Sequence, residues 1–217
     1  MPAVLFDLYE TLVRPVWPRL RDGRARLAAR VGLDWKLMRE LWERTLPERT
    51  VGANGSLEAD LAAILTLAGR QVSDHELAAL ARFEEATWRQ GVELYPDTLL
   101  TLRELRSRGV ATAIVSNCSY EAGAVVHELG LDAEVDLLVL SCLVGLAKPD
   151  PAIFRLTLDR LGTSAEQALF VDDRLENVES ARRLGLSTLL IARPESTGDG
   201  AAGAESVGDL SSLLSTG

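Results

Sequence analysis

The chain has 217 residues, 47% of them hydrophobic and 25% charged, enough to bury a full core as one domain or as a core with a smaller appendage. A formal charge of -9 excludes a general nucleic-acid binder, which needs a basic surface. Apolar runs stay short of the roughly 18 residues that span a bilayer, so no membrane partner is expected.

The first residues, Met1-Pro2-Ala3-Val4-Leu5-Phe6-Asp7, lack a basic stretch followed by an apolar run and a small-residue cleavage site. They read as the first strand of a fold, over 4–8, and not as a signal peptide. Cys118 and Cys142 make no disulfide framework, each suits a small buried side chain, and the cytoplasm is the expected compartment.

From about 15 to 95 the pattern is helical. Leu20, Leu27 and Val31, then Leu37, Met38 and Leu41, then Leu61, Ile64 and Leu67 recur at amphipathic spacing. Residues 51–55 read as a loop, Ser56 as a helix cap, and Ser73 with Glu76 as a capping box opening a helix to about residue 90. This stretch is basic at its start: ten basic against five acidic residues over 14–50 give about +5. That suits either a solvated helix face or a lip that attracts anions, with Arg39 and Arg44 as candidates. All four tryptophans (Trp17, Trp35, Trp42, Trp88) fall here, suited to core packing or to lining a pocket.

Beyond Pro96 strands and helices alternate. A helix over 98–107 stops at Gly109, a strand follows over 110–115, and the next helix stops at Gly130. A strand over 137–140 comes next. Asp150-Pro151 opens a helix ending near Gly162, with aspartate as cap and proline in the first turn. A strand over 168–171, a helix to Gly185 and a strand over 187–191 complete the series. Residues 195–208 read as a small-residue loop, and 210–214 as a short docking helix. Alternation at this spacing predicts an α/β fold, a doubly wound parallel sheet interrupted after its first strand by a helical insert. Ligands in such sheets bind beyond the carboxyl ends of the strands.

Four strand ends carry chemistry: Phe6-Asp7-Leu8-Tyr9-Glu10-Thr11, then Ser116-Asn117, then Ala147-Lys148-Pro149, then Asp172-Asp173 with Asn177 following. A carboxylate can attack phosphorus or carbon and divide one hard step into two. A lysine and a hydroxyl can hold the oxygens of an anionic substrate. Adjacent carboxylates raise each other's pKa unless a cation sits beside them. The chain has only two lysines, which sets Lys148 apart.

In this order the four motifs resemble the haloacid dehalogenase-like hydrolase superfamily, over about residues 4–191. The resemblance implies a Rossmann-like core (1–14 and 96–217) with an α-helical cap (15–95), hinged near 13–17 and 95–96. It implies Asp7 as nucleophile, with Ser116 and Lys148 as further catalytic residues. Tyr9, Thr11 and Asn117 become the expected substrate contacts. Mg2+ is the implied cofactor, held by Asp7, the Tyr9 carbonyl, Asp172 and Asp173, with Asn177 orienting that set. The expected partner is a small anionic substrate, and the expected state a monomer or homodimer. Tyr9 departs from the family's phosphatases, which carry a second aspartate there to protonate the leaving group; the family's metal-free dehalogenases carry tyrosine. A magnesium-dependent phosphatase is therefore the leading expectation. A 2-haloacid dehalogenase-type enzyme and a weakly active binding protein stay open.

Overall fold

The computed structural model describes residues 2–193 and 206–214. Along the chain its strands are β1 Ala3–Phe6, β2 Val13–Pro15, β3 Val92–Leu94, β4 Ala111–Ser116, β5 Leu137–Leu140, β6 Ala168–Asp172 and β7 Ser187–Leu190. Five of them form a parallel sheet in the order β5-β4-β1-β6-β7. All four residues of β1 are buried because it is the central strand, covered on both faces; hence its unbroken apolar run. Alternate side chains feed two cores. Val4 and Phe6 join Ile114, Val171, Leu102 and Val125 on one side. Leu5 joins Val115, Phe170, Ile153 and Phe154 on the other.

The register sets Phe6 opposite both Ile114 and Val171, so β1, β4 and β6 end side by side. The chain runs from β1 outward through β4 to β5, then crosses back to β6 on the other side of β1 and on to β7. That reversal opens a crevice at the carboxyl ends. Core helices α6 (Thr98–Ser107), α7 (Glu121–Glu128), α8 (Ser141–Val144), α9 (Pro151–Leu161) and α10 (Leu175–Arg183) connect the strands. Their limits follow the sequence signals: Asp150 caps α9 by accepting from the Ala152 N–H at 2.8 Å, and Gly162 ends it in the left-handed region.

The insert holds α1 (Trp17–Arg30), α2 (Trp35–Arg44), α3 (Leu46–Thr50), α4 (Leu57–Leu67) and α5 (Asp74–Gly91). It has its own core of Leu27, Met38, Leu61, Ile64 and Leu80. Ser56 caps α4, and the Ser73–Glu76 capping box is formed. Where α1 crosses α5, Gly23 is required: a Cβ there would lie 2.2 Å from Thr87 Cγ2.

The helical reading of the insert missed its attachment. β2 and β3 pair antiparallel, Arg14 opposite Glu93, where the chain leaves and rejoins the core. The Glu93 carboxylate accepts from Arg14 and Arg19, both at 2.6 Å. The insert also sits tightly on the core. Ser141 Oγ donates to the Thr50 carbonyl at 2.6 Å, and Tyr120 Oη to that of Gly52 at 3.1 Å. Gly52 has φ +63°, and a Cβ there would lie 1.8 Å from the Cys142 carbonyl oxygen. Residues 210–214 form a short 3-10 helix, while the expected loop at 195–208 falls largely outside the described residues. No helix among the described residues is long and apolar enough to cross a membrane.

Candidate active site

Asp7 follows β1 directly, and its N–H donates to the Val171 carbonyl at 2.9 Å, which extends the strand ladder to the residue itself. Its carboxylate is buried, with Oδ1 2.5 Å from Lys148 Nζ. The same ammonium lies 2.7 Å from Asp172 Oδ2, at the end of β6. Residues 7, 148 and 172, far apart in sequence, thus meet at one point. Burial pushes the Asp7 carboxyl up to about 6; Lys148 opposes the rise and Asp172 adds to it. Burial works against the charge of Lys148, but Asp172 and Asp7 outweigh it and hold its pKa above the ordinary value.

Two members of this trio, Lys148 and Asp172, are fixed by neighbours. Asn117 donates to the Lys148 carbonyl at 2.7 Å and accepts from the Lys148 N–H at 2.8 Å. Both ends of the Asn117 amide clamp the lysine backbone, and the residue, an expected substrate contact, also lines the adjoining cavity. Asn177 donates to both Asp172 oxygens at 3.1 Å, and the Arg174 N–H donates to Oδ1 at 2.8 Å. Ser116 ends β4, and its fully buried hydroxyl has no hydrogen-bond partner among the described residues. Thr11 is buried in the loop after Asp7, with Oγ1 unpartnered and its carbonyl accepting from Arg193 at 2.6 and 3.1 Å. Between them, Glu10 adopts φ 57° and accepts from Trp17 Nε1 at 3.2 Å and Tyr95 Oη at 3.0 Å, one residue from each connection to the insert.

Asp173 is half-buried beside the trio, and burial followed by Asp7 and Asp172 pushes its carboxyl up to about 7. Three carboxylates around one lysine are a donor set short of positive charge, and all-oxygen donors suit magnesium. Asp7, Asp172 and Asp173 offer such oxygens side by side. Among the described residues no three His, Cys, Asp or Glu side chains are spaced to hold a metal by themselves. Lys148 stands between Asp7 and Asp172.

Tyr9 leads away from Asp7 into a cavity of about 320 Å³ between core and insert. Its ring lies 5.4 Å from that of Trp88, and burial first, then Cys118, Glu121 and Asp7, holds its phenol well above its ordinary pKa. The insert contributes Arg24, whose guanidinium stands 4.4 Å from the Trp42 ring centroid and 5.2 Å from that of Trp88. Arg24 Nε donates at 3.0 Å to Glu84 Oε1, which also accepts from Trp88 Nε1 at 2.9 Å. Arg49 is buried and donates to Ser119 Oγ at 3.0 Å and to the Trp42 carbonyl at 2.7 Å. From the core, the first turn of α7 supplies Glu121, also buried, whose Oε2 has no partner. Burial and then Glu84 push Glu121 up to about 7, with Arg24 and Arg49 opposing.

Arg39 and Arg44, the sequence candidates for an anion-attracting lip, are exposed, and Arg39 pairs with Glu43 at 3.7 Å. One turn or more away, Arg24 and Arg49 line the cavity in their place. Sequence reasoning had no signal for Glu121 beyond its position five residues after Ser116.

A sequence profile described as haloacid dehalogenase-like hydrolase matches residues 1–185. A phosphatase of Mycobacterium tuberculosis is 30% identical over 215 residues, covering 97% of this chain and 94% of that one. The mouse acyl-CoA dehydrogenase family member 10 is 35% identical over 114 residues, 52% of this chain, and the match spans 11% of that longer protein. Among solved structures, a Bacteroides thetaiotaomicron HAD family enzyme in complex with magnesium and inorganic phosphate superposes with a TM-score of 0.71 at 19% identity. It covers 91% of this chain and 98% of its own.

Proposed function

Since the chain belongs to the haloacid dehalogenase-like hydrolases, we propose that it is a magnesium-dependent phosphatase that passes through an aspartyl-phosphate on Asp7. The observation that carries this reading is the buried Asp7–Lys148–Asp172 trio beside the unpartnered hydroxyl of Ser116. A phosphate monoester entering here meets a fixed ammonium and a free hydroxyl that hold its oxygens while Asp7 is aligned for attack. As the Asp7 oxygen–phosphorus bond forms, the bond to the leaving oxygen breaks. Water then cleaves the aspartyl-phosphate, returning the carboxylate and releasing inorganic phosphate. Asp7, the Tyr9 carbonyl, Asp172 and Asp173 would hold magnesium, which supplies positive charge against the phosphoryl oxygens when bound. Asn117 and Asn177 position Lys148 and Asp172.

The dehalogenase alternative rests on Tyr9. It calls for an arginine of the insert at the nucleophile, and among the described residues the cation paired with Asp7 is Lys148 while Arg24 is paired with Glu84. The test is turnover of aryl phosphates and of 2-haloacids with and without magnesium. Phosphate release that excess chelator abolishes supports the proposal. Halide release that chelator leaves unchanged overturns it.

A further inference from the structure

We infer that the cavity beyond Tyr9 selects phosphate monoesters whose leaving group is a neutral, hydroxylated molecule, a polyol or sugar, and that Glu121 and Arg24 read its hydroxyls. This rests on the phosphatase reading and specifies its substrate class. Three observations carry it.

Glu121 lines the cavity, is 3% exposed, and has an oxygen with no hydrogen-bond partner among the described residues. A buried acceptor left unpaired is costly, so the site calls for a donor from the ligand. Arg24 lines the same cavity with Nε engaged by Glu84 and its plane held by Trp42 and Trp88. Neither Nη donates a hydrogen bond to another described residue, which leaves a fixed donor edge. A hydroxyl both donates and accepts, so adjacent hydroxyls satisfy Glu121 and Arg24 together.

The third observation is charge. Arg24 is paired with Glu84, the buried Glu121 carboxyl lies within the influence of both Arg24 and Arg49, and Lys148 is paired with Asp7 and Asp172. A carboxylate or a second phosphate on the substrate would compete with Glu84 and Glu121 for these arginines and add its charge to theirs. A volume of about 320 Å³ admits leaving groups up to the size of a monosaccharide.

The experiment measures kcat/KM for glycerol phosphate, phosphoglycolate and phosphoserine, with phenyl phosphate as the check on phosphatase activity itself. The first three are alkyl esters, so the absence of an aspartate at position 9 weighs on them alike. Glycerol phosphate is expected to exceed both charged substrates by about tenfold or more. In Glu121→Leu the preference over phosphoglycolate should collapse through KM, and Glu121→Gln, which keeps a carbonyl acceptor, should recover most of it. A preference for phosphoglycolate or phosphoserine overturns the inference, as does a Leu variant that keeps the parent's preference. If phenyl phosphate is turned over while these results go the wrong way, only the substrate class falls. If no phosphate ester is turned over, the phosphatase reading falls with it. Should the Leu variant not fold, the parent's preference and the Gln variant decide.

Discussion

Asp7→Asn keeps the shape of the side chain but replaces the nucleophilic carboxylate with an amide. Turnover should fall at least 10³-fold, while the melting temperature holds or rises because crowding with Asp172 and Asp173 is relieved. Turnover within tenfold of the parent would remove Asp7 as nucleophile. Tyr9 is the second test at this scale. Its phenol, held protonated by burial, is a poor proton donor to an alkoxide. Tyr9→Asp should therefore raise kcat/KM on alkyl phosphates by about 10²-fold and change aryl phosphates much less, since phenolates leave unaided. Equal gains on both classes would assign Tyr9 to shaping the pocket. Glu121 gives a third, through stability. Its carboxyl is at about 7 in the folded chain against an ordinary 4.5, so the folded state binds the proton more tightly than the unfolded state. Its burial costs nothing below about pH 4.5, and the cost grows as pH rises through 7, to roughly 3 kcal/mol. Unfolding of parent and Glu121→Gln should coincide near pH 4.5 and diverge by pH 8, the variant being more stable. A difference that does not change with pH contradicts this.

Among the elements, α1 against α5 makes the sharpest prediction. Gly23→Ala drives a methyl into Thr87, a short β-branched side chain that cannot swing away, and should cost about 1–3 kcal/mol. Adding Thr87→Ala should return part of that loss, a coupling visible in a double-mutant cycle of urea unfolding. The elements beyond Pro96 were legible in the sequence because each carries its own punctuation. Gly109, Gly130 and Gly162 all adopt positive φ where a helix was expected to stop, and Asp150 caps where it was expected to cap. The β2–β3 ribbon was not legible. Its strands are three residues long and include Pro15, and its pairing leans on Arg14 and Glu93, so no alternating apolar pattern marks it. For the site, the residues at strand ends were legible because local order along the chain sets them there. Arg24, Glu84 and Glu121 come from three separate helices, and only tertiary packing brings them together. The same packing decided that Arg24 and Arg49 face inward while Arg39 and Arg44, equally basic and equally helical, face water.

Taken as a whole, the described residues join core and insert through polar links and the charged β2–β3 ribbon. Lys148 is the feature with the widest reach. Its backbone is clamped at both polar ends by Asn117, and its ammonium touches Asp172 as well as Asp7. Taking away the charge of Asp7 should then leave the lysine held by Asp172 with one of its two compensating anions gone. The nucleophile-free protein becomes a trap for tetrahedral oxyanions: inorganic phosphate should bind Asp7→Asn more tightly than the parent, and ionic strength should weaken that attraction little, because a buried charge lies beyond the reach of screening.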